Sequence, residues 1–267
     1  MGEIAGLYYE EHGPADGRPL ILSPGLGGSA SYWAPNLDVL AEQYRVILYD
    51  HRGTGRSDRA LPEGLSVEMM ADDVLALMDG LGIARAAMVG HAAGGCIGLA
   101  LALKAPGRLA RLVVVNGFAK ADPHFLRCME IRLTLLRDSG VPAFVRAQPL
   151  FLYPAHWISD NFERLEAGEA GLIEHFQGAG NVEARIAALA AFDIEERLGE
   201  IRTPTLLLVA EDDMLVPDTC SARLAEGLAN SSREMMLGGH ACNVTEPEIF
   251  HKIMGGWLAG ATQQGAK

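Results

Sequence analysis

The chain has 267 residues, is 49% hydrophobic, and carries a net charge of −12, with 22 Lys and Arg against 34 Asp and Glu. That length buries one large core, so a single α/β domain carrying an insertion is expected rather than two independent domains. The acidic balance without any Lys/Arg run speaks against nucleic acid and anionic membrane surfaces as partners, and no apolar stretch of about 20 residues is present to span a bilayer.

The opening MGEIAGLYYEEHG has neither the basic nor the apolar region of a signal peptide, and Gly6 stands where a myristoylation motif wants Ser or Thr. The four cysteines (Cys96, Cys128, Cys220 and Cys242) are scattered, without metal-ligand spacing. A cytoplasmic protein with reduced thiols, no metal and no other cofactor is expected. A homodimer is the default for a compact soluble enzyme, although no interface is readable.

In chain order, RPLILSPG, YRVILYD, AAMVGH, RLVVVNG and TPTLLLVAEDD are apolar enough to be strands buried on both faces, the pattern of a parallel sheet. Between the second and third runs, Ser66 is placed to cap a helix whose Val67, Met70, Val74, Leu77, Met78 and Leu81 share one face. From about Ala119 to Glu200 the strand signal stops. Helices broken at Gly140-Val141-Pro142, Tyr153-Pro154 and Gly178-Ala179-Gly180 are expected there, an all-helical lid over residues 119–200 inserted in a core of 1–118 and 201–267. REMML is strand-like, and a last helix is expected from Pro247 to Leu258.

Four motifs fall at predicted strand ends, where open α/β sheets hold their sites. SPGLGGS (23–29) has glycines that let backbone N–H groups face a crevice. In DHRGTGRSD (50–58), Asp50 and Arg52 are expected to brace loops. VGHAAGG (89–95) is a sharp strand-to-helix turn with Gly90 and Gly94 about its apex, but Ala92 stands where a nucleophile would. At this turn the N–H of Ala93, beside that of Leu26, suits a developing oxyanion. His91 is expected to be buried and hydrogen-bonded. Asp213 in AEDDMLVP and His240 in GGHACNVTEP, taken with the elbow, stand in the order of a hydrolytic triad: a carboxylate that fixes the imidazole tautomer and a histidine that acts as base.

On those residues the chain resembles the α/β-hydrolase superfamily from near Leu7 to Leu258. The resemblance implies an α/β-hydrolase fold, a mostly parallel doubly wound sheet with an inserted helical lid. It also implies the site roles: Ala92 at the nucleophile position, Asp213 as acid, His240 as base, and Leu26 and Ala93 as oxyanion donors. The chain departs from the superfamily twice. The nucleophile is missing, and Pro24 stands where a histidine usually precedes Gly25. SPGLGGSASYW, YDHRGTGRSD, AQPLFLYPAHW, EHFQG and GGHACNVTEPE narrow the resemblance to a pyrimidine-utilisation branch of the superfamily, described as carbamate or aminoacrylate hydrolases, in which alanine stands naturally at the elbow.

With no serine, covalent acyl transfer at position 92 is demoted, and Cys96, a turn into the helix, is expected to pack rather than react. What remains is general-base activation of water on a small labile substrate, carbamate or 3-aminoacrylate. Three alternatives stay open: a cofactor-free lyase or oxygenase, a non-catalytic binding protein, and a serine hydrolase carrying an engineered Ser-to-Ala change. Trp33, Gln148, Tyr153, Trp157, His175 and Gln177 are candidates to wall the pocket, with core packing the stronger expectation for the aromatic ones. For an anionic substrate, Arg127, Arg146 or Arg185 is a candidate cation, although solvated roles are the stronger expectation there too.

Overall fold

A computed structural model describes residues 1–260. Eight strands form one sheet: β1 (Gly2–Ile4), β2 (Leu7–His12), β3 (Arg18–Ser23), β4 (Tyr44–Tyr49), β5 (Ala86–His91), β6 (Leu109–Val115), β7 (Thr205–Ala210) and β8 (Ser231–Met236). Their order is β1-β2-β4-β3-β5-β6-β7-β8. From β4 to β8 the neighbours are parallel, and β1 and β2 add an antiparallel edge. That edge was not expected from the sequence. LYYEEH is only half-buried and its apolar signal is weak; the turn that makes it rests on Ala5 and Gly6, at φ 51° and 78°.

Strand side chains alternate between two apolar layers, as the two-residue period of a strand requires. Leu20 and Leu22, Val46 and Leu48, and Leu206 and Leu208 enter one layer, where Trp33 and Phe250 pack. Ile21, Ile47, Met88 and Leu207 enter the other. The first layer is covered by α1 (Ala34–Ala41) and the C-terminal helix; the second by α2 (Val67–Gly80) and α3 (Ala93–Lys104). The Ser66 side chain caps α2 by accepting from the Met69 N–H, and the expected apolar face is buried as far as Met78. Helix α3 is buried all along Ala93 to Ala102, as an apolar-all-round helix must be.

Between β6 and β7 the chain forms α4 (Pro123–Thr134), α5 (Gly140–Leu152), α6 (Ala155–Asp160), α7 (Phe162–Glu174) and α8 (Ala179–Ala191). Breaks fall at Tyr153–Pro154 and Gly178, as read from the sequence, and also at Asn161, which was not. At Gly140 the junction is a π-helical turn, Leu135–Ser139, and Gly140 adopts φ 81°. Pro142, expected in a break, lies within the first turn of α5, where no helical N–H is lost. The two ends of the insertion meet: Ile194 N–H donates to the Ala119 carbonyl at 3.0 Å, and Lys120 pairs with Asp193. The chain continues through α9 (Asp218–Gly227), α10 (Cys242–Thr245) and α11 (Pro247–Leu258). Among the described residues no helix is long and apolar enough to cross a membrane.

Candidate active site

The turn from β5 to α3 is held in a conformation L-residues rarely adopt. Ala92 sits at φ 49°, ψ −108°, a region that costs on the order of 1–3 kcal/mol and persists only when its surroundings enforce it. They do. Ala92 N–H donates to the Val115 carbonyl at 2.8 Å, and the Ala92 carbonyl accepts from Gly95 and Cys96 at 2.9 and 3.1 Å. The glycines are required by proximity: a Cβ on Gly90 would overlap the Gly94 carbonyl, and one on Gly94 would overlap the Ser23 carbonyl. The apex therefore keeps the strain of a nucleophile elbow while presenting only a methyl group.

Opposite the apex lies the loop after β3. A Cβ on Gly25 would press on His91 Nδ1 at 2.8 Å, so the loop passes close over the elbow. It is pinned from several sides. Gly28 N–H donates to the Gly25 carbonyl at 3.0 Å, Asp50 Oδ1 accepts the Ala30 N–H at 2.8 Å, and the Arg185 guanidinium donates to the carbonyls of Leu26 and Arg52 at 3.1 and 2.6 Å. Among the described residues, the N–H groups of Leu26 and Ala93 donate to no other protein group. Both residues line the same cavity.

Asp213, beyond β7, and His240, beyond β8, meet with Oδ2 accepting from Nδ1 at 2.8 Å, and both side chains are almost fully buried. The other Asp213 oxygen accepts the N–H groups of Leu215 and Val216 at 2.7 and 2.9 Å. Three donors on one carboxylate fix its position, and the carboxylate in turn assigns the proton to Nδ1, leaving Nε2 as the free basic nitrogen.

Two residues that sequence reasoning passed over hold this pair in place. Asn116, at φ 50°, accepts the Ala210 N–H at 2.8 Å and donates to the His240 carbonyl at 2.8 Å, tying the end of β7 to the histidine loop. An Asn directly after the VVV run of β6 was the available signal, since Asn tolerates left-handed backbone. Asp212 accepts the N–H groups of Gly238 and Gly239 at 3.0 and 2.9 Å, shaping the turn before His240.

His91 is buried, as expected, and donates from Nε2 to the His240 carbonyl at 2.8 Å. Its ring stacks on Tyr32 at 4.7 Å. Burial first, then the proximity of His240, holds His91 well below the usual histidine range, so it is a neutral ring. Cys96 donates to the Phe118 carbonyl, and burial pushes its thiol up to about 12, so it packs and does not react.

The cavity over this floor measures about 330 Å³ and is roofed by α4, α5 and α7. Of the candidate pocket residues, Gln148 and Tyr153 line it. Trp33 does not: it is fully buried in the sheet's other layer, 6.4 Å from the ring of Phe250. The apolar pull of that layer outweighs the position of Trp33 beside the site loop. Trp157 stands behind Tyr153, ring to ring at 4.4 Å. His175 and Gln177 line a wider neighbouring groove of about 1010 Å³, which Gln148 also borders; Gln177 accepts from the Thr54 hydroxyl at 3.2 Å.

Of the candidate cations, Arg127 is exposed, Arg146 is an exposed partner of Glu169, and Arg185 braces loops. The cation that lines the cavity is Arg132, buried on α4. Its spacing from Phe125 and Met129 on one helical face was the sequence signal.

A profile of the α/β-hydrolase fold matches residues 18–146. The chain is 53% identical to the "Putative carbamate hydrolase RutD" of Caulobacter sp. strain K31, over 97% of this chain and 98% of that protein. It is also 53% identical to the protein of the same name from Rhizobium rhizogenes strain K84, over 92% and 95%. Among solved structures, the enol-lactonase from Burkholderia xenovorans LB400 superposes with a TM-score of 0.85 at 26% identity, covering 96% of this chain and 98% of that one. Fold, strand-end site and near full-length identity agree, and the chain belongs to the RutD family of α/β-hydrolases.

Proposed function

We propose that this protein hydrolyses a carbon–nitrogen bond in a small, labile intermediate of pyrimidine breakdown, carbamate or 3-aminoacrylate, by activating water with the His240–Asp213 pair. One observation carries the reading. The imidazole, with its tautomer set by Asp213 at 2.8 Å, lines a cavity whose elbow offers a methyl group instead of a nucleophile. A base that finds no hydroxyl at the elbow apex acts on water. The names of the RutD relatives from Caulobacter and Rhizobium support carbamate as a substrate class, and the four unpaired thiols support a cytoplasmic setting.

With carbamate, His240 takes a proton from water, the hydroxide adds to the carboxyl carbon, and the N–H groups of Leu26 and Ala93 hold the carboxyl oxygens. The imidazolium then returns the proton to the departing nitrogen, releasing ammonia and bicarbonate, which interconverts with carbon dioxide. With 3-aminoacrylate, the enamine first tautomerises to the imine. Water, deprotonated by His240, adds to the imine carbon, and protonation of nitrogen releases ammonia and leaves a three-carbon aldehyde acid.

General-base help is worth about 10²- to 10⁴-fold and a pair of oxyanion donors about 10²- to 10³-fold. Such a total suits compounds that already decay unaided. The test follows ammonia release from each compound, with the protein and in buffer alone. Acceleration of at least one supports the reading; equal rates for both compounds overturn it.

A further inference from the structure

Arg132 is an expensive residue in this fold. It is 3% exposed, and among the described residues no carboxylate reaches it. Its Nη2 donates to the Gln148 Oε1 at 2.9 Å, its Nη1 faces the Met129 sulfur at 3.7 Å, and its Nε has no partner. The rings of Phe144 and Phe151 lie 5.2 and 5.5 Å from the guanidinium carbon. Glu169, the carboxylate that lines the same cavity, is engaged by the exposed Arg146 at 3.1 Å. Burial lowers the Arg132 pKa only to about 10, so the group stays charged at neutral pH.

A buried cation without a counter-ion is destabilising, and an amide or apolar side chain would join α4 to Gln148 at less cost. Arg132 lines the cavity that His240 also lines. A guanidinium fork presents paired donors matched to a carboxylate.

We propose that Arg132 binds the substrate's carboxylate, so that the cavity selects small carboxylate anions and rejects uncharged molecules of the same shape. The proposal deepens the hydrolase reading and rests on it for the identity of the reacting end. Of the two candidates, 3-aminoacrylate fits this role, because its carboxylate is separate from the carbon that water attacks; the single carboxylate of carbamate is the reacting group itself. The salt link is supplied by the ligand, and the protein keeps its cost while the site is empty.

The test is binding of propionate and of butanone, its uncharged isostere, followed by ligand-observed NMR with wild type, Arg132→Met and Arg132→Lys. Neither probe has a carbon–nitrogen bond, so the result stands apart from whether the protein releases ammonia. Propionate is expected to bind wild type at least about 10-fold more tightly than butanone, to lose roughly 10- to 100-fold in Arg132→Met, and to recover part of that in Arg132→Lys. In turnover of 3-aminoacrylate by Arg132→Met, KM rises by a similar factor while kcat holds within about threefold.

The unliganded Arg132→Met protein is expected to melt at or above the wild-type temperature, which a structural role for Arg132 would not allow. Equal binding of propionate and butanone to wild type overturns the proposal. So does undiminished propionate binding by Arg132→Met, or a lowered melting temperature with no recovery of binding in Arg132→Lys. Should Arg132→Met fail to fold, the wild-type probe comparison and the lysine variant decide.

Discussion

The floor and the roof of the cavity are made in different ways. On the floor, the working geometry is backbone geometry: the Ala92 apex, the N–H groups of Leu26 and Ala93, and the loops that bring Asp213 to His240. All sit at strand ends, locked by main-chain hydrogen bonds and by the side chains of Asp50, Asn116, Arg185 and Asp212 that bond to the main chain. The roof is built from helices packed by side chains, and its distinctive group, Arg132, is held by one amide contact and two aromatic faces. The contacts that hold the apex are made by the Ala92 backbone, so the floor's geometry does not depend on the side chain at that position. A change in the roof alters what the cavity accepts. On the proposals above, chemistry and selection are written in separate parts of the chain.

If the floor is fixed by backbone contacts, adding atoms to it should do the most damage. Gly94→Val forces a side chain into the Ser23 carbonyl, and destabilisation of about 3 kcal/mol or more is expected in denaturant unfolding. A loss under about 1 kcal/mol would show that the elbow can relax. Asn116→Ala is next. It strands the buried Ala210 N–H, with an expected cost of about 1–3 kcal/mol. It also frees the His240 loop, so kcat should fall roughly 10-fold while KM barely moves.

A smaller effect depends on pH. His51 and His91 are both held well below the usual histidine range, chiefly by burial. The folded protein therefore stays unprotonated at these rings where the unfolded chain takes up protons. Stability is fully present above the unfolded histidine range and falls as pH drops through about 6.5, by at most about 1.4 kcal/mol per pH unit for each ring. His91→Gln should flatten the slope of melting temperature between pH 7 and 5 by one proton's worth; an unchanged slope would mean that His91 protonates in place. The smallest effect is expected on the outer roof. Arg127 is exposed, and Arg127→Ala should shift stability by less than about 0.5 kcal/mol and leave turnover unchanged.

The same division decides what was legible in the sequence. Glycine spacing around Ala92, an Asp past a buried strand and a His after another are local signals, so the apex and the Asp213–His240 pair could be read, while Asn116 and Asp212, which act through loop-to-loop contacts, could not. The edge strand LYYEEH was missed because most of it is only half-buried on either face and its alternation is faint. The roof was read as helical from its punctuation, but which side chains face the cavity depends on how α4, α5 and α7 pack, and no local pattern states that. Trp33 illustrates this in one direction: a pocket candidate beside the site loop, it belongs to the far layer, in line with the core packing that was the stronger expectation for an aromatic residue. Arg132 illustrates it in the other, a cation on an apolar stripe where a core residue was the ordinary expectation.

The central claim is that His240 does the chemistry without help from a residue at the elbow apex. The direct measurement is the rate of ammonia release by His240→Ala beside wild type, on whichever of carbamate and 3-aminoacrylate wild type accelerates. The account predicts a loss of about 10²- to 10⁴-fold in a variant that still folds, as a cooperative melt shows. A His240→Ala protein that releases ammonia at the wild-type rate would contradict it.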